Sequence, residues 1–237
     1  MKKLLTIGLG LTFASLLSAA TITWTSQPII NTGTFKEFLG TGFIDYSGDQ
    51  IILDNVGGSA VTFEGQNWSA NQFSQWTPTA TGFHDGSSPL TNSIRADSSA
   101  GAKTVTIGGA YGGDLVIGQE YRIQLIFMDG RRFPDGSGGN LQRGVRVDGI
   151  DRGLYMNGTS SPSSYGDALL VAGTFFADAT TQTFTIEAFD ANGTAAGTSR
   201  GGHLNALALH AIPEPSTYGF ILGFGALALV GFRRFRK

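Results

Sequence analysis

Between residues 21 and 211 the chain alternates apolar and polar side chains in short runs, with Gly, Asn, Asp and Ser at the breaks. Period-two alternation marks a strand with one buried face. The clearest run is Tyr121-Arg122-Ile123-Gln124-Leu125-Ile126-Phe127, which puts Tyr121, Ile123, Leu125 and Phe127 on one side. Phe184-Thr185-Ile186-Glu187-Ala188 repeats the pattern, and Val145-Arg146-Val147 does so briefly. Further strands are predicted at Thr21–Trp24, Phe43–Tyr46, Gln50–Asp54, Ala60–Phe63, Thr104–Ile107, Ala168–Phe176 and Leu204–His210. No run here carries a helical stripe with caps. About ten strands in one antiparallel body predict an all-β fold, a double-sheet jelly-roll β-sandwich, with a closed up-and-down barrel as the lesser alternative. The apolar alternations are too short for an outer-membrane barrel. Gly65–Ala102, Asp129–Arg143, Asn157–Asp167 and Asp190–Gly202 read as loops, and loops of that length often carry function.

Both ends break from this pattern. Lys2 and Lys3 precede the apolar stretch Leu4–Leu17 and the small residues Ser18-Ala19-Ala20, the order of a secretory signal peptide over residues 1–20, cut between Ala20 and Thr21. A retained anchor is the weaker alternative, because the stretch is short for a membrane span. At the other end the sixteen residues Thr217–Phe232 hold no charge. As a helix they span roughly 24 Å, and Ile212 and Pro213 at one end and a snorkelling Arg233 at the other make up much of the difference to the hydrocarbon core. Arg233, Arg234, Arg236 and Lys237 follow as a membrane stop that keeps the terminus cytoplasmic. A buried core helix is not expected to end in such a cluster. Ala211–Ser216, with two prolines, reads as a short linker between body and span.

Setting the ends aside changes the charge. Residues 21–212 carry 10 Lys and Arg against 17 Asp and Glu, a net charge of −7. An acidic body argues against nucleic acid, whose phosphates are neutralised by Lys and Arg. The absence of cysteine excludes disulfides, thiolate metal sites, a Cys nucleophile and a lipoprotein anchor. The hydrophobic core alone must hold the fold together, and the body is long enough to build one.

Candidate chemistry lies in the predicted loops. Trp68 and Trp76, with Phe73 and His84 nearby, can stack on sugar faces if their rings are exposed, with Asn67, Gln72 and Gln75 as polar partners; the alternative is that these aromatics are core. Arg131 and Arg132, flanked by Asp129 and Asp135, offer paired forks for sugar hydroxyls or an anionic glycan, unless they form a self-paired surface turn. Arg143, Arg146 and Arg152 would extend a basic patch if these loops converge. Asp135-Gly136-Ser137-Gly138-Gly139-Asn140 has oxygen ligands at loop spacing but lacks the acid-rich pattern and closing Glu of a calcium loop. A structural calcium stays possible without motif support; no metal site and no cofactor are expected. His84, His203 and His210 lack metal-ligand spacing, and the last two read as strand-end residues. No Gly-x-Ser-x-Gly elbow is present. No catalytic residues are assigned, and the expectation is a non-enzymatic protein.

The tail has a further property. Pro213-Glu214-Pro215, followed by the apolar run and the basic end, resembles the PEP-CTERM sorting signal of Gram-negative bacteria, which an exosortase-type enzyme processes. The resemblance covers residues 212–237. It implies export, a precursor anchored in the inner membrane, then delivery to the cell surface or extracellular matrix, with extracellular polysaccharide as the default partner. Within the body, Gly118–Phe127 is similar to the central strand of galactose-binding-like and malectin-like jelly rolls. Ala172–Asp178 and Leu204–Leu207 are similar to later strands of jelly-roll bodies that precede such tails. These resemblances imply a structural or polysaccharide-associating component at residues 21–211. The alternatives are a carbohydrate-binding module with a defined sugar ligand and, less favoured, a glycan-active enzyme.

Overall fold

A computed structural model describes residues 20–29, 43–70, 72–76, 90, 95–97, 99–128, 142–157, 168–191 and 198–214. Among them are fourteen strands and no helix. They are β1 (Thr23–Ile29), β2 (Asp49–Asn55), β3 (Val61–Phe63), β4 (Gln66–Ala70), β5 (Arg95–Asp97), β6 (Lys103–Gly108) and β7 (Glu120–Phe127). β8 (Gln142–Val147), β9 (Ile150–Asn157), β10 (Ala168–Phe176), β11 (Thr181–Asp190), β12 (Thr198–Ser199), β13 (Gly202–Leu204) and β14 (Ala206–Ala211) complete the series. No helix among the described residues is long and apolar enough to cross a membrane. The signal peptide and the apolar tail lie outside those residues.

The all-β sandwich is present. A seven-stranded sheet runs β1-β10-β7-β14-β2-β4-β3. Facing it is a smaller sheet built on β11, which pairs with β8 along one side, β9 lying beyond β8. Ile186 pairs with both Lys103 and Val147, and Phe189 with both Ser199 and Gly144. β6 and β12 therefore share the other edge of β11, one after the other. β5 and β13 form a separate pair.

Three expectations need correction. The body is not wholly antiparallel, because β2 and β4 pair in parallel through Asp54–Ser69 and Asn55–Ala70. Phe43–Tyr46 is not a strand; its side chains instead lie over the outer face of the large sheet. The run Leu204–His210 is two strands, split at Asn205. There the Asn205 N–H donates to the Ile126 carbonyl at 3.0 Å, its carbonyl accepts from Val56 N–H at 2.9 Å, and its Oδ1 accepts from Met128 N–H at 2.7 Å. β9 went unpredicted because its pairing with β8 shifts register twice, which breaks period-two alternation.

Tyr121, Ile123, Leu125 and Phe127 do share one face, within a core that also takes Val105, Ile107, Val145, Val147, Phe184 and Ile186 from the smaller sheet. The opposite face of the same strands is buried too. Ile126, Met128, Leu53, Leu170, Ala206 and Ala208 form a second cluster with Ile44, Leu90 and Trp68, and Phe43, Tyr46, Val61 and Phe63 pack against it. A strand covered on both sides has no polar face, which is why β14 reads Ala-Leu-Ala-Leu-His.

A side-chain amide fixes that outer cover. Gln124 is buried; its Oε1 accepts from Asp45 N–H at 2.8 Å and its Nε2 donates to the Asp45 carbonyl at 2.8 Å. The amide thus pairs with residue 45 as a neighbouring strand would. Phe127 is fully buried, so Phe127→Ala is expected to cost about 3–5 kcal/mol. Ile150→Ala, at an exposed position, should stay within about 0.5 kcal/mol of wild type. Urea unfolding followed by tryptophan fluorescence measures both.

Candidate functional site: the exit of the last strand and a polar cleft

β14 lies inside the large sheet, hydrogen-bonded to β7 on one side and β2 on the other. At its end Ala211 pairs with Tyr121 and Asp49. Ile212 N–H still donates to the Glu120 carbonyl at 2.8 Å, and Gln119 Nε2 donates to the Ile212 carbonyl. Pro213 has no N–H to continue the ladder, and both Pro213 and Glu214 are exposed. The first two residues of the predicted sorting tripeptide therefore leave the sheet directly from a pinned strand end. Pro215, Arg233, Arg234, Arg236 and Lys237 lie outside the described residues. Gly48 passes this end at φ 99°, where a Cβ would come within 2.2 Å of the Ala211 carbonyl oxygen, so no side chain fits there.

The aromatic platform is overturned. Trp68 is 1% exposed and Trp76 4%, so neither ring offers a face to a sugar. Trp68, on β4, sits in the outer cluster edge-on to Tyr46. Trp76 lies edge-on to Phe73 at 4.9 Å in the inter-sheet core, and its indole N–H donates to the Thr104 carbonyl at 3.0 Å. The segment that looked like a loop is drawn inward by Asp54, whose carboxylate accepts from Gln72 N–H at 3.0 Å, Phe73 N–H at 2.8 Å and the Tyr111 hydroxyl at 2.9 Å. Burial, followed by the Asp54 charge, pushes the Tyr111 phenol well above its ordinary range and keeps it a donor.

The polar neighbours of those aromatics have structural work as well. Gln75 Oε1 accepts from Thr106 N–H at 2.7 Å while its Nε2 donates to the Thr106 carbonyl. This pairing caps β6 along the side that β11 does not occupy, and an uncapped edge invites a foreign strand. Beside it a cleft of about 340 Å³ is lined by Gln72, Ser74, Gln75, Thr106, Tyr111 and Thr181, with Gly108 to Ala110 between. Gln72 and Ser74 are exposed on its rim.

The arginines do not build one basic patch among the described residues. Arg143 and Arg200 both hold the buried Asp190, at 3.0 and 2.6 Å. Arg146 bonds Asp151 at 2.5 Å, lies 3.6 Å from Glu187 and stacks over Phe189. Arg152 reaches the carbonyls of Trp24 and Val147. Arg131, Arg132, His84 and the stretch 135–140 lie outside the described residues. Asp54 and Asp190 escaped the sequence reading because nothing local marks an acid as buried.

His210 is the next-to-last residue of β14 and His203 lies in the short β13, and both are buried. His203 lies 2.9 Å from the Met128 carbonyl and 3.3 Å from Asn205 Oδ1. His210 packs edge-on to Tyr46, and its Nδ1 finds no partner among the described residues. Burial lowers the His210 imidazole below its ordinary 6.5; the Arg122 charge adds to this and Asp45 partly offsets it. No group of three or more His, Cys, Asp or Glu among the described residues is placed to hold a metal.

The His210 shift has a sign. Above pH 6.5 the ring is neutral whether folded or not, and its contribution is flat. As pH falls below 6.5 the unfolded chain takes up a proton that the folded chain refuses, so stability drops until the lower folded value is reached. The urea midpoint should therefore decline on moving from neutral to mildly acidic buffer, and His210→Gln should flatten that decline. The lowered Asp45 and Asp97 carboxyls act only below 3.8, outside this window.

Residues 211–237 match the family model of the PEP-CTERM protein-sorting motif. No curated protein matches the chain. Among solved structures, the ANX2 ectodomain from Arabidopsis thaliana is similar at 11% identity and a TM-score of 0.45, over 70% of this chain and 50% of that one. The plant receptor-like kinase ANX1 is similar at 10% identity and a TM-score of 0.45, over 70% of this chain and 49% of that one. The chain spans about half the length of each. It is an all-β body that carries a PEP-CTERM sorting motif, and the motif implies an exported protein, anchored by its C-terminus until exosortase processes it.

Proposed function

We propose that the chain is a non-enzymatic component of the cell surface or extracellular matrix, cut by exosortase at Pro213-Glu214-Pro215, whose body associates with extracellular polysaccharide. The observation that carries this reading is the strand exit. Among the described residues the last backbone bond to the sheet is made at Ile212, and Pro213 and Glu214 stand exposed just beyond it. An enzyme can take hold of the motif without unfolding the body. After cleavage β14 keeps its ladder on both sides, so the released body stays folded.

Association with polysaccharide rests on the cleft beside β6. Its rim presents the Gln72 amide and the Ser74 hydroxyl, groups that donate to and accept from sugar hydroxyls without a charge to select an ionic ligand. The reading of a non-enzymatic role draws support from the buried acids: Asp54 is bonded to two backbone N–H groups and a phenol, and Asp190 to two guanidinium groups. Neither role needs a cofactor.

Mass spectrometry of the mature protein from the producing cell tests the first part. A C-terminus near Pro213 is expected; an intact Lys237 would reduce the tail to a plain anchor. Affinity gels containing soluble polysaccharide test the second. Retardation should fall about threefold or more in a Gln72→Ala, Ser74→Ala variant that keeps its circular dichroism. Shortened glycan products in the same samples would instead establish an enzyme.

A further inference from the structure

Among the described residues five large apolar side chains stand exposed, and three of them lie at one end of the sandwich. Val116 and Ile117 are each 64% exposed and Phe176 62%. Val116 and Ile117 belong to the turn before β7, closed by Gln119 N–H donating to the Val116 carbonyl at 3.1 Å, with Gly118 at φ 87° in the position where such a turn needs glycine. The turn is held rigidly: Val116 N–H donates to the Tyr121 hydroxyl at 2.8 Å, and Tyr121 stacks on Phe175. Gly118 N–H donates to the Ala177 carbonyl at 2.7 Å, and Phe176 pairs with Glu120 across the ladder.

This is the end from which the sorting tail departs. Glu120, the partner of Phe176, also accepts from Ile212, and Gln119 bonds the Ile212 carbonyl. The start of the body emerges here too, since β1 begins opposite Thr174 near the end of β10 and Gln182 Nε2 donates to the Ala20 carbonyl at 2.9 Å. From Ile212, the last bonded residue, to Thr217, where the uncharged run begins, fully extended chain reaches only about 17 Å. A body on so short a tether cannot hold this end far from the membrane that the tail enters.

We infer that the end bearing Val116, Ile117 and Phe176 seats on the lipid surface of that membrane and holds the body against the bilayer until the tail is cut. The inference rests on the tail acting as an anchor in the precursor. Rigid apolar tips gain by entering the interfacial layer, and they surround the point where the chain crosses it. The ionisable groups nearest the tips, Asp114, Glu120, Asp178 and Glu214, are acidic, as is Asp49 opposite Ala211; the one cation close by among the described residues, Arg122 opposite Thr174, is held by Asp45 at 2.5 Å. Lipid charge therefore does not draw the body down, and seating depends on apolar contact and is insensitive to salt.

The natural absence of cysteine allows single labels. The full chain, with a fluorophore at Ile117→Cys, Phe176→Cys or, as the distal reference, Ala100→Cys, is reconstituted into phosphatidylcholine vesicles containing brominated lipid. Gly101, beside Ala100, donates its N–H to Ser199, which pairs with Phe189; Phe189 lies roughly 26 Å along β11 from Thr181, which sits at the seating end. Quenching at positions 117 and 176 should exceed that at 100 by about threefold or more, in low and high salt alike. In a second variant, Ile117→Glu with Phe176→Glu, a label at Val116→Cys should lose this excess while the thermal midpoint is kept, since all three side chains are exposed. Protein that floats with the vesicles but is quenched equally at both ends overturns the seating alone. Excess quenching that appears only with exosortase present overturns it in favour of a protein partner. Protein that fails to float refutes the anchor and the seating together.

Discussion

Everything in the body depends on β7 and β14 lying side by side with apolar layers above and below them. The two-sided burial supplies the cohesion that a chain without cysteine cannot draw from cross-links. It also sets a requirement: the outer layer must be roofed by segments that are not part of a second sheet. Residues 43–46 and the β3–β4 hairpin provide the roof, and Tyr46, Trp68 and His210 meet beneath it ring against ring. Arg122 ties the roof down through Asp45 at 2.5 Å and Ser47 at 2.7 Å.

Two glutamines solve the same problem in different places. A strand edge or a crossing segment leaves an N–H and a carbonyl of one residue pointing the same way, and a primary amide satisfies both at once. Gln124 does this for Asp45 and Gln75 for Thr106. The first attaches the roof; the second closes an edge next to the polar cleft. Gln75, a candidate ligand contact in the sequence, thus completes a backbone ladder, while Gln72, Ser74 and the strand exit stand exposed among the described residues.

The sequence made the sandwich and its inward face legible at Tyr121 to Phe127, because alternation there is strict. It hid the second buried face, since Gln124 and His210 look polar and their burial depends on partners far away in the chain. Trp68 and Trp76 misled for the converse reason. They sit among Asn, Gln and Ser, yet β4 pairs with β2 and carries Trp68 into the outer cluster, while Asp54 holds the backbone of Gln72 and Phe73 just ahead of the buried Trp76. The sorting motif needed no tertiary knowledge, as its order of turn, apolar run and basic end is linear. Its relation to the sheet did: the apolar run Ala206–Leu209 marks a strand buried on both faces but does not say which strands flank it.

That placement governs the order of assembly. In a chain exported from its N-terminus, the strand that separates β7 from β2 crosses among the last parts of the body. Until it arrives, two long rows of backbone donors and acceptors face each other across an unfilled slot. A tail lodged in the bilayer would keep this late strand within a few residues' reach of the membrane while its slot between β7 and β2 is filled.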